Sequence, residues 1–78
     1  MPKKSLAQQT TERLYTMIAV EHQLSPGDKL PNEIDLAQDL GVSRTTLREA
    51  IHSLVSQGLL EVRRGRGTFV TEEADSIN

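Results

Sequence analysis

The 78-residue sequence contains no cysteine, so neither a disulfide framework nor a thiolate metal site can form. No apolar run approaches the length of a signal peptide or a membrane span. These absences predict an intracellular, cytoplasmic protein. The chain length suits one small domain with a modest core, and 36% hydrophobic with 26% charged residues is typical of a soluble globular chain.

Catalytic constellations are also lacking. His22 and His52 are isolated, no pair of acids flanks a predicted cleft, and no glycine loop between a strand and a helix is placed to cradle phosphate. A chain of this length leaves little room for a substrate pocket. The sequence therefore predicts a protein that is not an enzyme and that uses no cofactor and no metal.

Charge is strongly segregated along the chain, although the formal net charge is only −2. Residues 44–66 carry five arginines against two glutamates, a net charge of +3, whereas residues 1–43 carry −2 and residues 67–78 carry −3. A protein that is acidic overall can still present one positive surface to a polyanion. The average charge therefore does not exclude nucleic acid as a partner.

Residues 41–58 predict one amphipathic helix with both ends marked. Ser43 stands at the N-cap, Val42 can pack on Leu47 as a hydrophobic staple, and Gly58 can close the helix in the left-handed conformation. Apolar residues recur at the spacing of one buried stripe, namely Leu47, Ala50, Ile51, Leu54 and Val55.

The opposite face of this predicted helix is polar and cationic, with Arg44, Thr45, Arg48 and His52. Two guanidinium groups one helical turn apart, with hydroxyls beside them, can contact phosphates and the acceptor edge of guanine. A solvated polar face accounts for the same residues without any ligand. The elements on either side favour the first interpretation.

A long first helix is predicted from Ser5, which has capping-box spacing with Gln8, to about Gln23. Its apolar face is expected to bury Leu14, Met17 and Ile18 beside Glu21, with Leu6 and Ala7 extending it.

A turn at Pro26 and Gly27 then precedes a minimal strand at residues 29–30. Asn32 can cap a second helix of about nine residues that closes at Gly41. This short helix, joined across residues 41–43 to the cationic helix, has the proportions of a helix-turn-helix.

After Gly58 the apolar period changes towards two, which predicts a hairpin over residues 59–71. Leu60, Val62 and Arg64 are expected on one side, opposite Leu59, Glu61 and Arg63. The tip, residues 64–67, reads Arg-Gly-Arg-Gly, so it can approach a partner closely and project positive charge, or it can be a glycine-rich turn with solvated arginines. Phe69 is expected to anchor the hairpin onto the helices.

In order and spacing, several motifs resemble the winged-helix head of the gluconate-repressor (GntR) family of bacterial transcription regulators. They are PGDKLP at 26–31, LA at 36–37, LGVSRTTLREAI at 40–51, Leu54, GL at 58–59 and GRGTFV at 65–70. The resemblance spans roughly residues 14–70, and TTLREA is most similar to the branch typified by the fatty-acid-responsive regulator (FadR-like). It implies a mainly α fold with a small β-hairpin: a winged helix-turn-helix of three helices plus a wing.

The resemblance also implies sequence-specific binding to double-stranded DNA, with the recognition helix, residues 43–57, in the major groove. The wing, residues 59–71, is then expected at the minor groove or the backbone. The DNA-contacting residues that we predict are Ser43, Arg44, Thr45, Thr46, Arg48, His52, Arg64, Gly65 and Arg66.

Among these residues, Arg44 and Arg48 are our candidates for guanine recognition, because the guanidinium fork matches the two acceptors of that base. Thr45 and Thr46 are expected at phosphates, and Ser43 is expected mainly to cap. His52 is interpreted as solvated or close to phosphate. Ile34 departs from the family, many members of which have arginine after the glutamate that opens the first helix of the motif.

The predicted domain organisation is a flexible N-terminal arm at residues 1–4, the winged helix at 5–71, and an acidic tail or linker at 72–78. Family members carry an effector-binding, usually dimerising domain after the wing. The chain is therefore expected to be either an excised head or a small stand-alone regulator. The predicted partners are a palindromic operator and, in the full-length protein, a second subunit that makes a homodimer; no membrane is expected.

A winged helix can also serve as a protein-interaction or RNA-binding module, because a fold alone does not determine function. Salt dependence distinguishes these cases. A duplex binder that contacts several phosphates loses affinity steeply with salt and keeps a preference for one site over random DNA.

Overall fold

The computed structural model describes residues 4–72, and in that range three helices precede a two-stranded antiparallel sheet. Helix α1 is Leu6–Tyr15 and continues into a π-helical turn at Thr16–Val20; α2 is Glu33–Leu40 and α3 is Arg44–Ser56. The strands are β1, Leu60–Arg63, and β2, Gly67–Val70. This element order confirms the mainly α winged helix-turn-helix.

The predicted arm and tail lie almost wholly outside the described residues. Of the arm only Lys4 is described, and its ammonium binds the Glu12 carboxylate at 2.7 Å. Of the acidic tail only Glu72 is described.

The predicted start of α1 is confirmed, but the predictions of where it ends and of which residues form its buried face are partly wrong. The Ser5 hydroxyl accepts from the Gln8 amide at 3.1 Å, while the Gln8 side chain accepts from the Ser5 amide at 2.9 Å. Helical structure ends at Val20 rather than near Gln23, and His22 takes a left-handed φ of 54°. The final turn contains three β-branched residues, which lose side-chain freedom in a helix and so weaken it.

The buried face of α1 also begins later than predicted. Leu6 is 54% exposed, and Thr10 is the first buried residue of the helix. The Thr10 hydroxyl donates to the Leu6 carbonyl at 2.8 Å, so burial leaves it hydrogen-bonded. Glu21, predicted on the same face, is exposed.

The two helices of the helix-turn-helix begin and end at the residues that the sequence predicts. The Asn32 side chain accepts from the Asp35 amide at 2.9 Å, and Gly41 closes α2 with a φ of 70° after eight residues. The Ser43 hydroxyl accepts from the Thr46 amide at 3.1 Å and begins α3. Gly58, with a φ of 84°, follows the end of α3.

The core lies where the three helices meet the base of the hairpin. Its fully buried large side chains are Leu14, Leu47, Leu54, Leu59, Leu60 and Val70. The predicted stripe of α3 is confirmed except at Val55, which is 37% exposed. Val55 lies about 80° around the helix from Leu47, on the side away from Leu54, so it falls at the edge of the buried arc.

The strands pair in the register Leu60↔Val70 to Arg63↔Gly67, so the tip consists of Arg64, Gly65 and Arg66. Gly67, predicted in the tip, belongs to β2. The minimal strand predicted at residues 29–30 is only an isolated bridge between Lys29 and Phe69: Leu30 donates its amide to the Thr68 carbonyl, and Val70 donates its amide to the Asp28 carbonyl, both at 2.8 Å.

Two expectations for the hairpin are wrong. Leu59 and Leu60 are both buried, whereas Val62 is 61% exposed, because the core covers only the base of the hairpin and not its outer half. Phe69 is only partly buried and lies outside the core cluster. The next residue, Val70, instead anchors the hairpin at 1% exposure.

Candidate nucleic-acid interface

The N-terminus of α3 uses Ser43 as an internal cap. Its hydroxyl oxygen accepts from the Thr46 amide, and the same hydroxyl donates to the Thr46 Oγ1 at 3.0 Å. Both hydrogen-bonding functions of Ser43 are therefore engaged within the helix. Thr45 is exposed beside them and Thr46 is half-buried. Ser43 thus performs the capping role that the sequence gives it.

One carboxylate joins the two predicted base-reading arginines. Glu33, the first residue of α2, accepts from Arg44 Nη2 at 3.2 Å and from Arg48 Nε at 3.0 and 3.2 Å, through its two carboxylate oxygens. Arg44 and Arg48 keep more than half of their side chains exposed, at 52% and 58%. The cationic face of α3 is therefore not a pair of free arginines but a three-residue cluster, Glu33, Arg44 and Arg48, with a net charge of +1.

The electrostatics of this cluster keep Glu33 ionised. Desolvation raises the pKa of the Glu33 carboxyl, but the hydrogen bonds and positive charges of Arg44 and Arg48 outweigh it. The pKa therefore lies below its ordinary value of 4.5. At neutral pH the carboxylate is a permanent acceptor for both guanidinium groups.

Sequence reasoning missed the role of Glu33. The hydrogen-bonded residues are 11 and 15 positions apart, so no helical or strand periodicity connects them. The one usable signal was its position at the start of a helix whose partner helix carries the arginines.

Of the three arginines of the wing, one contacts other side chains of the hairpin and two are exposed at its tip. The guanidinium of Arg63 lies 4.4 Å from the centre of the Phe69 ring, and its Nη2 binds the Glu61 carboxylate at 2.6 Å. Arg64 and Arg66 are exposed at the tip and have no acidic partner among residues 4–72. Gly65 between them has a φ of 75°, a conformation that glycine adopts without steric cost.

Lys29 is a further cation beside the wing that sequence reasoning did not include. A Cβ atom built on Gly67 would lie 2.7 Å from Lys29 Cε, so the absent side chain of Gly67 makes room for the lysine stem. The extended residues before α2 place Lys29 there by pairing with β2.

One groove is lined both by residues of the wing and by residues around the start of α2. Its lining includes Lys29 and Glu33, around the start of α2, Ile51 of α3, and Arg64 and Arg66 of the tip. The structure thus places the wing tip and the start of the helix-turn-helix on the same side of the molecule. His52 is exposed on α3, one turn beyond Arg48.

Other kinds of site are not found in the part of the chain that is described. Between residues 4 and 72, no three histidine or acidic side chains are grouped so as to hold a metal ion. Within the same range, no helix combines the length and the apolar character that crossing a bilayer requires.

Comparison with known proteins gives a consistent result. Residues 6–70 match the family described as bacterial regulatory proteins, gntR family. The mannosyl-D-glycerate transport/metabolism system repressor MngR of Escherichia coli K12 is 45% identical over 73 residues, which cover 94% of this chain and 30% of that protein.

Solved structures agree in fold. The GntR protein of Streptococcus agalactiae superposes with a TM-score of 0.79 at 46% identity, covering 87% of this chain and 33% of its own. The DNA-binding domain of AraR, in a crystal structure with operator ORE1, superposes with a TM-score of 0.80 at 42% identity, covering 88% of this chain and 83% of its own. The chain thus corresponds to about one third of the length of the longer proteins. The more detailed assignment to the fatty-acid-responsive branch stays a prediction.

Proposed function

The chain belongs to the GntR family of bacterial regulatory proteins, and from this membership we propose that residues 5–71 form a sequence-specific reader of double-stranded DNA. The single observation that carries the proposal is the shared groove. The groove is lined by Glu33, whose carboxylate binds Arg44 and Arg48, and by the exposed arginines of the wing tip. Two cationic surfaces on one side of a small domain suit two adjacent grooves of one duplex.

In this proposal α3 enters the major groove and the wing lies at the minor groove or along the backbone. Arg44 and Arg48 are the candidates for base contacts. Thr45, Thr46 and the first amides of α3 face phosphate, because hydroxyls and helix N-termini serve mainly to position a protein on the backbone. Arg64, Gly65 and Arg66 form the wing contact, and Lys29 adds charge beside it. His52 lies close to phosphate.

The whole protein is proposed to regulate transcription in the bacterial cytoplasm. Support comes from the repressor of Escherichia coli and from the AraR domain that was crystallised with its operator. We propose a palindromic operator, bound by two heads of a homodimer that is held together by a domain beyond residue 71. One head supplies limited contact area, and two-fold symmetric proteins use two-fold symmetric sites.

Selection of duplexes from a random pool, followed by affinity measurement at several salt concentrations, tests this function. We expect one motif to be enriched and bound at least about tenfold more tightly than a scrambled duplex of the same composition. The logarithm of the affinity should fall linearly with the logarithm of salt concentration, with a slope near −0.9 for each phosphate contact.

Equal affinity for every duplex, or tighter binding to single-stranded or structured RNA than to DNA, would contradict the proposal. Those outcomes would favour the RNA-binding or protein-interaction use of the same fold.

A further inference from the structure

We propose that Glu33 is a positioning residue that gives the two arginines of α3 different tasks. Of the two candidates for base contacts, it holds Arg48 so that the end of its side chain is presented to a base, and it releases Arg44 to a phosphate instead. The inference rests on the proposed function, since it specifies how the same surface discriminates between duplexes.

The argument begins with the atom that each arginine uses. Arg48 donates to both Glu33 oxygens through Nε alone, at 3.0 and 3.2 Å. The guanidinium carries five N–H donors, so four remain on its two terminal nitrogens. That terminal edge is the pair of donors that bridges O6 and N7 of guanine. Arg48 can therefore read a base without leaving Glu33.

Arg44 binds in a different way. It donates through Nη2, at 3.2 Å, and Nη2 is one of the two terminal nitrogens that would bridge a guanine. A base bridged by both terminal nitrogens of Arg44 would compete with Glu33 for Nη2. A phosphate requires only positive charge within reach, and Arg44 is the first residue of α3, where phosphates are commonly bound.

The exposure of the cluster explains why Glu33 can serve as a guide rather than as a competitor for DNA. More than one third of the Glu33 side chain is accessible, as is more than half of each arginine. Ion pairs at such exposure contribute little net stability, so exchanging one for a phosphate costs little. The carboxylate also repels phosphate. On random DNA, where an arginine finds no matching base, a Glu33-paired arginine therefore adds less binding free energy than a free arginine would.

The experiment compares the specificity ratio, the affinity for the duplex enriched from the random pool divided by that for its scrambled counterpart, among matched variants. Glu33→Gln keeps the shape of the side chain and removes its charge. Glu49→Gln removes the same charge from an exposed position of α3 that pairs with no arginine among the described residues. We expect Glu33→Gln to raise affinity for the scrambled duplex and to lower the specificity ratio about tenfold, a loss within the range of one good bidentate base contact. Glu49→Gln should leave the ratio within about twofold of the original.

Lysine variants separate the two arginines. Arg48→Lys should lower the specificity ratio about tenfold or more, because a lysine has no second edge to present while it binds Glu33. Arg44→Lys should change it less than about threefold, because an ammonium group still meets a phosphate. In the Arg48→Lys background, Glu33→Gln should produce no further loss of the ratio.

Three results would overturn the inference. The first is an equal effect of Glu33→Gln and Glu49→Gln, which would make the carboxylate an ordinary surface charge. The second is an undiminished effect of Glu33→Gln in the Arg48→Lys background, as expected of a carboxylate that itself accepts from a cytosine amine. The third is a fall in specificity that follows a fall in the urea midpoint across the variants, which would make Glu33 a residue of stability only. If the unaltered protein shows no preference for any duplex, the proposed function fails instead.

Discussion

At the scale of single residues, the chain has few buried polar groups and uses its charges at the surface. Thr10 is the only buried polar residue between positions 4 and 72, and its hydroxyl is hydrogen-bonded. The ion pairs of the described chain are all partly exposed. Electrostatics therefore contribute modestly to the free energy of unfolding, and the consequence of a charge change should appear mainly in binding.

The depressed pKa of Glu33 predicts a small acid-dependent loss of stability. A group whose pKa is lower in the folded state contributes stability above its unfolded value, and that stability is lost as pH falls through the folded value. Glu33→Gln should therefore lower the free energy of unfolding at pH 7 by at most about 1 kcal/mol, since the pair is exposed. The difference between the two proteins should vanish well below pH 4.5, the ordinary value for this group. Urea unfolding from pH 7 to pH 3 measures it; a difference that grows towards low pH would contradict the assignment.

At the scale of elements, each helix boundary in the helix-turn-helix depends on one capping side chain or on a glycine that has none. Asn32 and Ser43 satisfy the first amides of α2 and α3, and Gly41 reverses the chain between the helices. These local devices are independent of the core, so each can be tested without creating a cavity.

Gly41 offers the clearest test of backbone conformation. Nothing lies within 4 Å of the position that a Cβ would occupy, so a substitution meets strain at its φ of 70° and no steric clash. Gly41→Ala should cost about 1–2 kcal/mol in the free energy of unfolding. Gly41→Asn should cost less, because asparagine tolerates the left-handed conformation. Equal losses for the two variants in urea unfolding would indicate that conformation is not what glycine contributes here.

The wing contributes charge that should be measurable in salt dependence. Arg64→Ala and Arg66→Ala should each weaken binding to all duplexes alike and reduce the magnitude of the salt slope by about 1. Arg63→Ala is the matched control, because its guanidinium is already engaged by Phe69 and Glu61. If Arg63→Ala changes the slope as much as the tip variants, the division of the wing arginines is wrong.

At the scale of the whole molecule, the elements were predictable and their contacts only partly so. The residues that begin and end the helices act locally, so the sequence around each of them predicts its role. They are Ser5, Asn32, Gly41, Ser43 and Gly58. The π-helical end of α1, the exposure of Val55 and the contact from Glu33 to two arginines depend on which elements pack together. No periodicity in the chain carries that information.

The placement of the core makes two adjacent residues of α3 a matched pair. Leu54 is completely buried, whereas Val55 is 37% exposed. Leu54→Ala should cost about 2–5 kcal/mol, because it removes a fully buried side chain and leaves a cavity. Val55→Ala should cost less than about 1 kcal/mol. Thermal or urea unfolding distinguishes the two variants. Comparable losses of stability would indicate that Val55 contributes to the core as Leu54 does.

Pairing of residues 28–30 with β2 has a consequence for the DNA itself. The backbone that leads into α2 is hydrogen-bonded to the wing, so the separation between the wing tip and α3 is set by the protein. A duplex bound at both points must adjust its own groove width and curvature to that separation. Stiff and pliable base steps would then differ in affinity even where no side chain touches them.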